Sequence, residues 1–355
     1  MPPAKSKTGR PSVWAPAIGG ANAALEADSL KLQQVLLITA FLASALFFSG
    51  ASFASFELPK FVAIGTLVIV AAGISAARAV LGGLVVLPRW EATIAIALFI
   101  AGLAVATLTS PSFHISVIGN YTRFTGFVPY ALYAMAFLLV LRSFDERAVR
   151  RLGVSVIAAA ALAAFYGLLQ WGGADPIRWG GVYAETVFAT FGNPNFAAGW
   201  FAMALPFAAW GALRETWAWQ WRIASALVGV ASLLVISATD AEQGIFAGGA
   251  GVAVFALAWL RARLRDDLRT AVTAGWAVLA VAVTTLAALG LATIGPLSAL
   301  GTQSSFALRK TYWEAALRMF ASDVPTGVGL DMFASYFPAY RSREALDLLG
   351  PGVTI

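Results

Sequence analysis

The stretch from Leu152 to Gln170 reads LGVSVIAAAALAAFYGLLQ and contains no charged residue. A bilayer core is about 30 Å thick, so a spanning helix needs about 20 mostly apolar residues. An ionised side chain at the centre of the bilayer costs roughly 2.5 to 3.5 kcal/mol on insertion scales, which explains why such a segment lacks charge. The stretch therefore predicts a transmembrane helix.

Eight further stretches share this pattern, which predicts an all-α, polytopic transmembrane helix bundle of about nine spans. Three stretches are short, and we expect them to be extended by interfacial residues or to lie in a thinned part of the bilayer. In chain order the nine are Leu32–Phe53, Phe61–Leu81, Thr93–Leu108, Gly126–Leu141, Leu152–Gln170, Asn195–Leu213, Ile223–Ala238, Gly244–Leu260 and Ala271–Ile294, of which the third, fourth and seventh are short.

The composition excludes several classes of protein. Of 355 residues, 59% are hydrophobic and 12% are charged, and the mean hydropathy is +0.77, which rules out a soluble fold. The chain has no cysteine and a single histidine, His114. This excludes disulfides, thiol nucleophiles and histidine-pair zinc motifs, and we expect His114 to be a loop residue rather than a catalyst.

The distribution of basic residues predicts the orientation of the bundle. Alternate loops form two unequal sets, and the poorer set of short loops contains only Lys60, Arg123 and Arg178. Because basic residues concentrate in cytoplasmic loops, the N-terminus should be cytoplasmic and the segment after the ninth span extracytoplasmic. No basic stretch is interleaved with exposed aromatic residues, so nucleic acid is not an expected partner.

Three regions follow from this reading. Residues 1–30 are polar and rich in proline and glycine, which predicts a disordered cytoplasmic tail. Residues 31–294 form the helix bundle. Residues 295–355 should form a helical extracytoplasmic segment that continues beyond the end of this sequence.

Polar residues at the extracytoplasmic end are the candidates for function. Arg123 stands at the entrance of the fourth span, where it either snorkels to lipid headgroups or binds an anionic substrate. Asn193 and Asn195 flank a proline at the start of the sixth span. We expect Asn195 to cap that helix, whose N-terminus is also suited to a phosphate group.

Asp240 and Glu242 lie in the tight turn between the seventh and eighth spans. Such carboxylates are compatible with a simple solvated turn. If the turn instead folds into a cavity, either of them could accept the proton of an attacking hydroxyl.

The segment after the ninth span predicts a helix over Phe306–Phe320 with apolar residues on two sides, so that it should be sandwiched between the bundle and a neighbouring loop. Glu314 lies on its remaining surface, four residues before Arg318, in the spacing of an ion pair. Asp331 is expected to cap a second short helix, which Arg341 follows.

Three blocks of this sequence together resemble the O-antigen ligase and polymerase-like family of multi-pass bacterial inner-membrane glycosyltransferases. They occur in the order of that family, and the resemblance covers about residues 35 to 345. The blocks read GNYTRFTG at 119–126, FGNPNF at 191–196, and RKTYWEAALRMF at 309–320 followed by PTGVGLDMF at 325–333.

The resemblance implies transfer of a glycan from an undecaprenyl-diphosphate donor to a hydroxyl of a lipid, protein or glycan acceptor, on the outer side of the membrane and without metal or other cofactor. Because the leaving diphosphate is anionic, arginines suit its stabilisation. It implies substrate binding by Arg123, Arg309 and Arg341 and by the two asparagines of the Asn-Pro-Asn motif. The candidate catalytic carboxylates are Glu314, Asp240 and Glu242.

The sequence departs from the family pattern in two places. Many members carry Ser-Arg-Gly where this chain has Glu242-Gln243-Gly244, so an arginine expected to bind diphosphate is replaced by glutamine. Many members also continue into a segment with a His-Asn pair, which this sequence does not reach. Two other functions stay open: a transporter or flippase of a lipid-linked substrate, and a noncatalytic scaffold for envelope assembly.

Overall fold

The structure is a computed structural model. It describes residues 20–82, 90–179, 186–292, 294–296, 298, 304–324, 326–343 and 345–346. Within these ranges the chain is helical and contains no β-strand. This confirms the prediction of an all-α bundle.

Each of the nine predicted spans corresponds to one helix of the structure. The protein is a multi-pass membrane protein. Among the described residues, eight helices are long and apolar enough to cross a membrane, and the ninth helix, over Phe127–Ser143, has 17 residues. In chain order the helices are α1 Gly20–Leu46, α2 Glu57–Gly82, α3 Trp90–Leu108, α4 Phe113–Ile118, α5 Phe127–Ser143, α6 Glu146–Trp171, α7 Pro194–Leu213, α8 Trp219–Ala238, α9 Glu242–Arg263, α10 Asp266–Leu291, α11 Ser304–Ser322 and α12 Phe333–Tyr340.

Most helices begin earlier than predicted, because polar and aromatic residues continue them beyond the apolar core. The predicted end of the first span at Phe53 is wrong, since α1 ends at Leu46. α3 reaches 19 residues by including Trp90 and Glu91, and α8 reaches 20 residues by including Trp219. Only α5 remains short. α1 begins at Gly20, so residues 20–30 are helical rather than part of the predicted tail, while residues 1–19 lie outside the described residues.

Successive spans run antiparallel, so the bundle has two ends. We call the end at which α1, α6, α8 and α10 begin the basic face. The other end, where α2, α5, α7 and α9 begin, carries loops 47–56, 109–126, 186–193 and 239–241, and we call it the motif face. Hydrogen bonds mark both ends: Gln34 Nε2 donates to Ser143 O over 2.7 Å at the basic face, and Thr190 Oγ1 donates to Ala45 O over 2.5 Å at the motif face.

α7 lies at the centre of the bundle and contacts α6, α8 and α9. Its small residues, including Ala197, Ala198 and Ala202, are fully or almost fully buried. Glycines of α9 face it at close range: a Cβ built on Gly244 would lie 2.7 Å from the Cβ of Ala198. Such close backbone approach supplies packing contacts where lipid surrounds the helices and no hydrophobic force drives them together.

The C-terminal segment forms two helices that pack on each other at the motif face. Ala315 and Met319 of α11 are buried with Phe337 of α12. The predicted sandwich is wrong for the part of the chain that the structure describes, where only this side of α11 is covered. The side that carries Trp313 and Leu317 is 60% and 68% exposed at these two residues.

Candidate functional site at the motif face

The first sequence block folds into a closed loop that presents Arg123. Gly119 has a φ of +98°, and a Cβ there would lie 2.3 Å from the backbone nitrogen of Thr125. A Cβ on Gly126 would lie 2.4 Å from the nitrogen of Gly119. The loop can therefore close only with glycine at both ends, which explains the pattern of the GNYTRFTG block.

Arg123 lines a cavity of about 260 Å³ at the N-terminal end of α2. Lys60 and Glu57, both from the first turn of α2, line the same cavity, as do the aromatic rings on either side of the Asn-Pro-Asn motif, Phe191 and Phe196. Ile64, Phe61, Phe124, Tyr133, Phe56 and Ser44 complete its wall. The cavity thus combines two cationic side chains and one carboxylate, that of Glu57, with a mainly apolar surface, and we call it the cationic cavity.

Lys60 is a candidate site residue that the sequence reasoning missed. Its ammonium group donates a hydrogen bond to Thr190 O over 2.8 Å and lies 4.7 Å from the ring centroid of Phe191. Thr190 and Phe191 are both buried. The only signal in the sequence was the rarity of basic residues in loops of this face, where Lys60 counted as evidence for orientation and not for a site.

The Asn-Pro-Asn motif fixes the start of α7. Asn193 is the cap residue: its side-chain oxygen accepts a hydrogen bond from the backbone N–H of Asn195 over 2.8 Å, and Pro194 is the first helical residue. The expected cap by Asn195 is therefore wrong, because Asn195 already lies within the helix. Proline at the first helical position and asparagine before it are each favoured there.

Asn195 instead takes part in a chain of side-chain hydrogen bonds that joins three helices. The amide of Gln243, in the first turn of α9, donates to the side-chain oxygen of Asn195. The guanidinium of Arg309, in α11, donates to the other end of the same amide, Gln243 Oε1. Gln243 stands where the family resemblance leads one to expect an arginine, and it orients Arg309 at this face.

The first and third sequence blocks also meet. The carboxylate of Asp331 accepts a hydrogen bond from the backbone N–H of Asn120. Ser116 Oγ donates to Leu330 O over 2.9 Å. The expected role of Asp331 as a helix cap is wrong, since α12 begins after Met332 without a side-chain cap.

The candidate carboxylates are spread over the face and do not line the cationic cavity. Asp240 is exposed, with a φ of +54°, and lines a separate cleft. Glu242 is exposed in the first turn of α9, a position that the helix dipole favours for an acidic residue. The carboxylate of Glu314 lies 3.9 Å from the ammonium of Lys310 and 3.8 Å from the guanidinium of Arg318. The second distance confirms the predicted ion pair.

Two further candidates lie apart from the cavity. Arg341 is half-buried directly after α12, and its backbone N–H bonds to Phe337 O over 2.9 Å. His114 is exposed on the short helix α4 rather than in an irregular loop, and it does not line either opening.

The cleft that Asp240 lines has a volume of about 770 Å³, and we call it the polar cleft. Asp175, Arg178 and Trp179 line the same cleft. Asp175 accepts hydrogen bonds from Tyr166 and Gln170 over 3.1 and 3.0 Å, which order the loop after α6.

An aromatic wall separates the cleft from the cationic cavity. The rings of Trp179 and Phe56 lie 5.1 Å apart, and Phe56 lines the cavity on the other side. Gly192 allows this arrangement, because a Cβ on it would lie 2.2 Å from the ring of Phe56. The two openings are therefore immediate neighbours.

Comparison of the chain with models of protein families, with curated proteins and with solved structures finds no significant match. The family resemblance therefore depends on the three sequence blocks, and the site depends on its geometry.

Proposed function

We propose that this chain is a glycosyltransferase of a bacterial inner membrane, which moves a glycan from an undecaprenyl-diphosphate carrier to the hydroxyl of a lipid, protein or glycan acceptor. The motif face would then be extracytoplasmic. The observation that supports this proposal most directly is the cationic cavity, in which Lys60 and Arg123 share one partly apolar opening at the end of a membrane span.

The chemistry of a lipid-borne diphosphate suits this cavity. The two cationic side chains would bind phosphate oxygens through charge-assisted hydrogen bonds, which are about twice as strong as neutral ones. Ile64 lies one helical turn deeper in α2 than Lys60 and would contact the first part of the prenyl chain. A lipid with an anionic head and an apolar tail needs this combination.

In the proposed reaction, the acceptor oxygen attacks the anomeric carbon of the glycan while the bond from that carbon to the phosphate oxygen breaks. The leaving diphosphate takes the bonding electrons, and Lys60 and Arg123 stabilise its charge. Arg309, which Gln243 orients, does not line the cavity and would be a third donor only for a part of the diphosphate that extends beyond it. Arg341 does not line the cavity, so it would contact only those parts of the substrate that extend beyond the cavity.

The proton of the acceptor hydroxyl must pass to a base. Of the three candidate carboxylates, we assign this role to Asp240, because it lines the polar cleft next to the cationic cavity. Trp179 and Asp175 of the same cleft offer an aromatic face and a hydrogen-bond acceptor of the kinds that sugar rings use. Glu242 and Glu314 would then stabilise their helices through the dipole and through ion pairs.

The test is binding of undecaprenyl diphosphate to the full chain in lipid nanodiscs, with undecaprenol as the ligand without phosphate. Removing one charge-assisted hydrogen bond costs roughly 1.5 to 3 kcal/mol, so Lys60→Met and Arg123→Gln should each weaken binding about tenfold or more. Arg343→Gln, which removes an exposed arginine of the same face outside both openings, should bind normally. Equal affinity for undecaprenol would contradict the proposal.

Glycan transfer is then measured in the same variants. The readout is the loss of labelled glycan from the lipid extract and its appearance in other products. Asp240→Asn should retain binding and lose transfer. Diphosphate binding with no transfer by the unaltered chain, under any acceptor supplied, would instead favour the noncatalytic scaffold.

A further inference from the structure

The basic face contains two adjoining cavities that share Arg150, Trp210 and Arg214 in their walls. Their volumes are about 460 and 670 Å³. Both values fall in the range of roughly 300 to 1,000 Å³ that is typical of small-molecule sites. The two cavities, which we call the first and second lobes, lie at the opposite end of the bundle from the openings described above.

Arg214 is held in place by aromatic rings. Its guanidinium carbon lies 4.9 Å from the ring centroid of Trp210 and 5.7 Å from that of Trp217, and the two rings lie 5.3 Å apart. Its Nε donates to Thr216 Oγ1 over 3.0 Å. A guanidinium has five N–H donors, so this arrangement positions Arg214 and leaves most of its donors available.

Positive charge exceeds negative charge around the lobes. Arg151 lines the first lobe, and neither it nor Arg214 forms an ion pair with a carboxylate of the described residues. Two carboxylates line the second lobe. Asp145 caps α6 by accepting from Ala148 N over 2.8 Å, and Glu146, 90% exposed, lies 3.5 Å from Arg150.

Below this charged rim the walls are apolar. Val35, Ile38 and Val154 line the first lobe, and Phe207 and Phe255 line the second. Arg150 lies in the second turn of α6, and Val154 lies one turn further towards the middle of the span. The lobes therefore run from an arginine-rich rim into the region that lipid tails occupy.

We infer that the two lobes form a binding site for an anionic phospholipid, with its phosphate at Arg150 and Arg214 and one acyl chain in each lobe. Basic pockets between transmembrane helices are known to hold such headgroups. The inference does not depend on the proposed glycan transfer.

Two other arginines of the basic face show that an arginine in a basic loop does not by itself form such a site. Arg263 also lies on a tryptophan, with its guanidinium 3.9 Å from the ring of Trp259, but it pairs with Glu215 over 2.9 Å and lines neither lobe. Arg222 donates to Ala212 O over 3.0 Å and also lines neither lobe. Arg263→Gln is therefore a matched control.

The experiment measures phosphatidylglycerol and phosphatidylcholine bound to the purified full chain by native mass spectrometry. The unaltered chain should retain phosphatidylglycerol preferentially. A basic residue near a membrane surface strengthens binding of anionic lipid roughly fivefold, so Arg150→Gln with Arg214→Gln should weaken it by roughly twentyfold or more. Arg263→Gln should behave as the unaltered chain. An equal loss in Arg263→Gln, or no preference for phosphatidylglycerol, would overturn the inference.

Two further arms separate a lipid site from a site for free anions. Val154→Trp fills the first lobe from a half-exposed, membrane-facing position without changing charge, and it should reduce phosphatidylglycerol binding while the chain still folds. Millimolar inorganic phosphate should not displace the lipid, because phosphate cannot use the apolar walls. Displacement by phosphate, or full lipid binding by Val154→Trp, would show an anion site instead and overturn the assignment.

Discussion

At the scale of single residues, the motif face depends on glycines whose replacement has a defined steric consequence. Gly192 combines a φ of +71° with a ring of Phe56 directly where a Cβ would stand. The ring cannot retreat freely, because Phe56 is buried and packs on Trp179 and Phe188. The left-handed backbone and the aromatic wall therefore require glycine at the same position.

We predict that Gly192→Ala destabilises the protein by about 1–3 kcal/mol, because alanine is strained at this φ and its methyl group collides with Phe56. The measurement is the midpoint of thermal unfolding in detergent. Gly199→Ala is the control, since a Cβ at Gly199, in the interior of α7, meets nothing within 4 Å. A similar midpoint for both variants would show that the loop before α7 is free to adjust.

Arg123 and the Asn-Pro-Asn corner could be predicted from local sequence patterns, but Lys60 could not be predicted as a site residue. The importance of Lys60 comes from Thr190 and Phe191, which lie far from it in the sequence and reach it only after folding. The cap of α7 was predicted at the wrong asparagine, because either residue of the pair has the required side chain. The role of Lys60 and the identity of the cap residue both depend on which residues come together in the folded protein.

At the scale of helices, the number and approximate position of the spans could be read from apolar runs alone, because the thickness of the bilayer fixes their length. The central position of α7 could not, since apolar residues face lipid and protein alike in a membrane. The many small residues of α7, such as Ala197 and Ala198, indicate close packing, but they do not show which helix packs against them. The sequence also could not predict that only one side of α11 is covered among the described residues, because both sides of this helix are apolar.

The contact between α7 and α9 gives a prediction for this scale. Gly244→Ala should destabilise the bundle by roughly 1–3 kcal/mol, because the new methyl group would meet both the Cβ and the carbonyl oxygen of Ala198. Gly249→Ala in the same helix should be neutral or slightly stabilising, since nothing lies within 4 Å of its Cβ. Thermal unfolding of the two variants side by side measures the difference, and equal stability would mean that α9 shifts outward without cost.

At the scale of the whole molecule, the two ends of the bundle have different chemistry. The motif face brings together loops from distant parts of the sequence, with hydrogen bonds that join Asn195, Gln243 and Arg309. At the basic face, Arg214 and Arg263 each lie on a tryptophan ring. A substrate that carries a phosphate within a lipid would meet cations at both ends. The motif face adds a neighbouring cleft lined by Asp240, the proposed base, whereas Asp145 and Glu146 at the basic face cap α6 and pair with Arg150.

The proposed function requires that the motif face be extracytoplasmic, and the natural absence of cysteine makes this directly measurable. His114→Cys places a thiol on the exposed helix α4 of the motif face, and Ala218→Cys places one on the exposed turn before α8 of the basic face. Because basic loops remain in the cytoplasm, a membrane-impermeant maleimide should label the first variant in intact cells and the second only after permeabilisation. The reverse pattern would put the cationic cavity in the cytosol, where a glycan carrier that has already been flipped outward could not reach it.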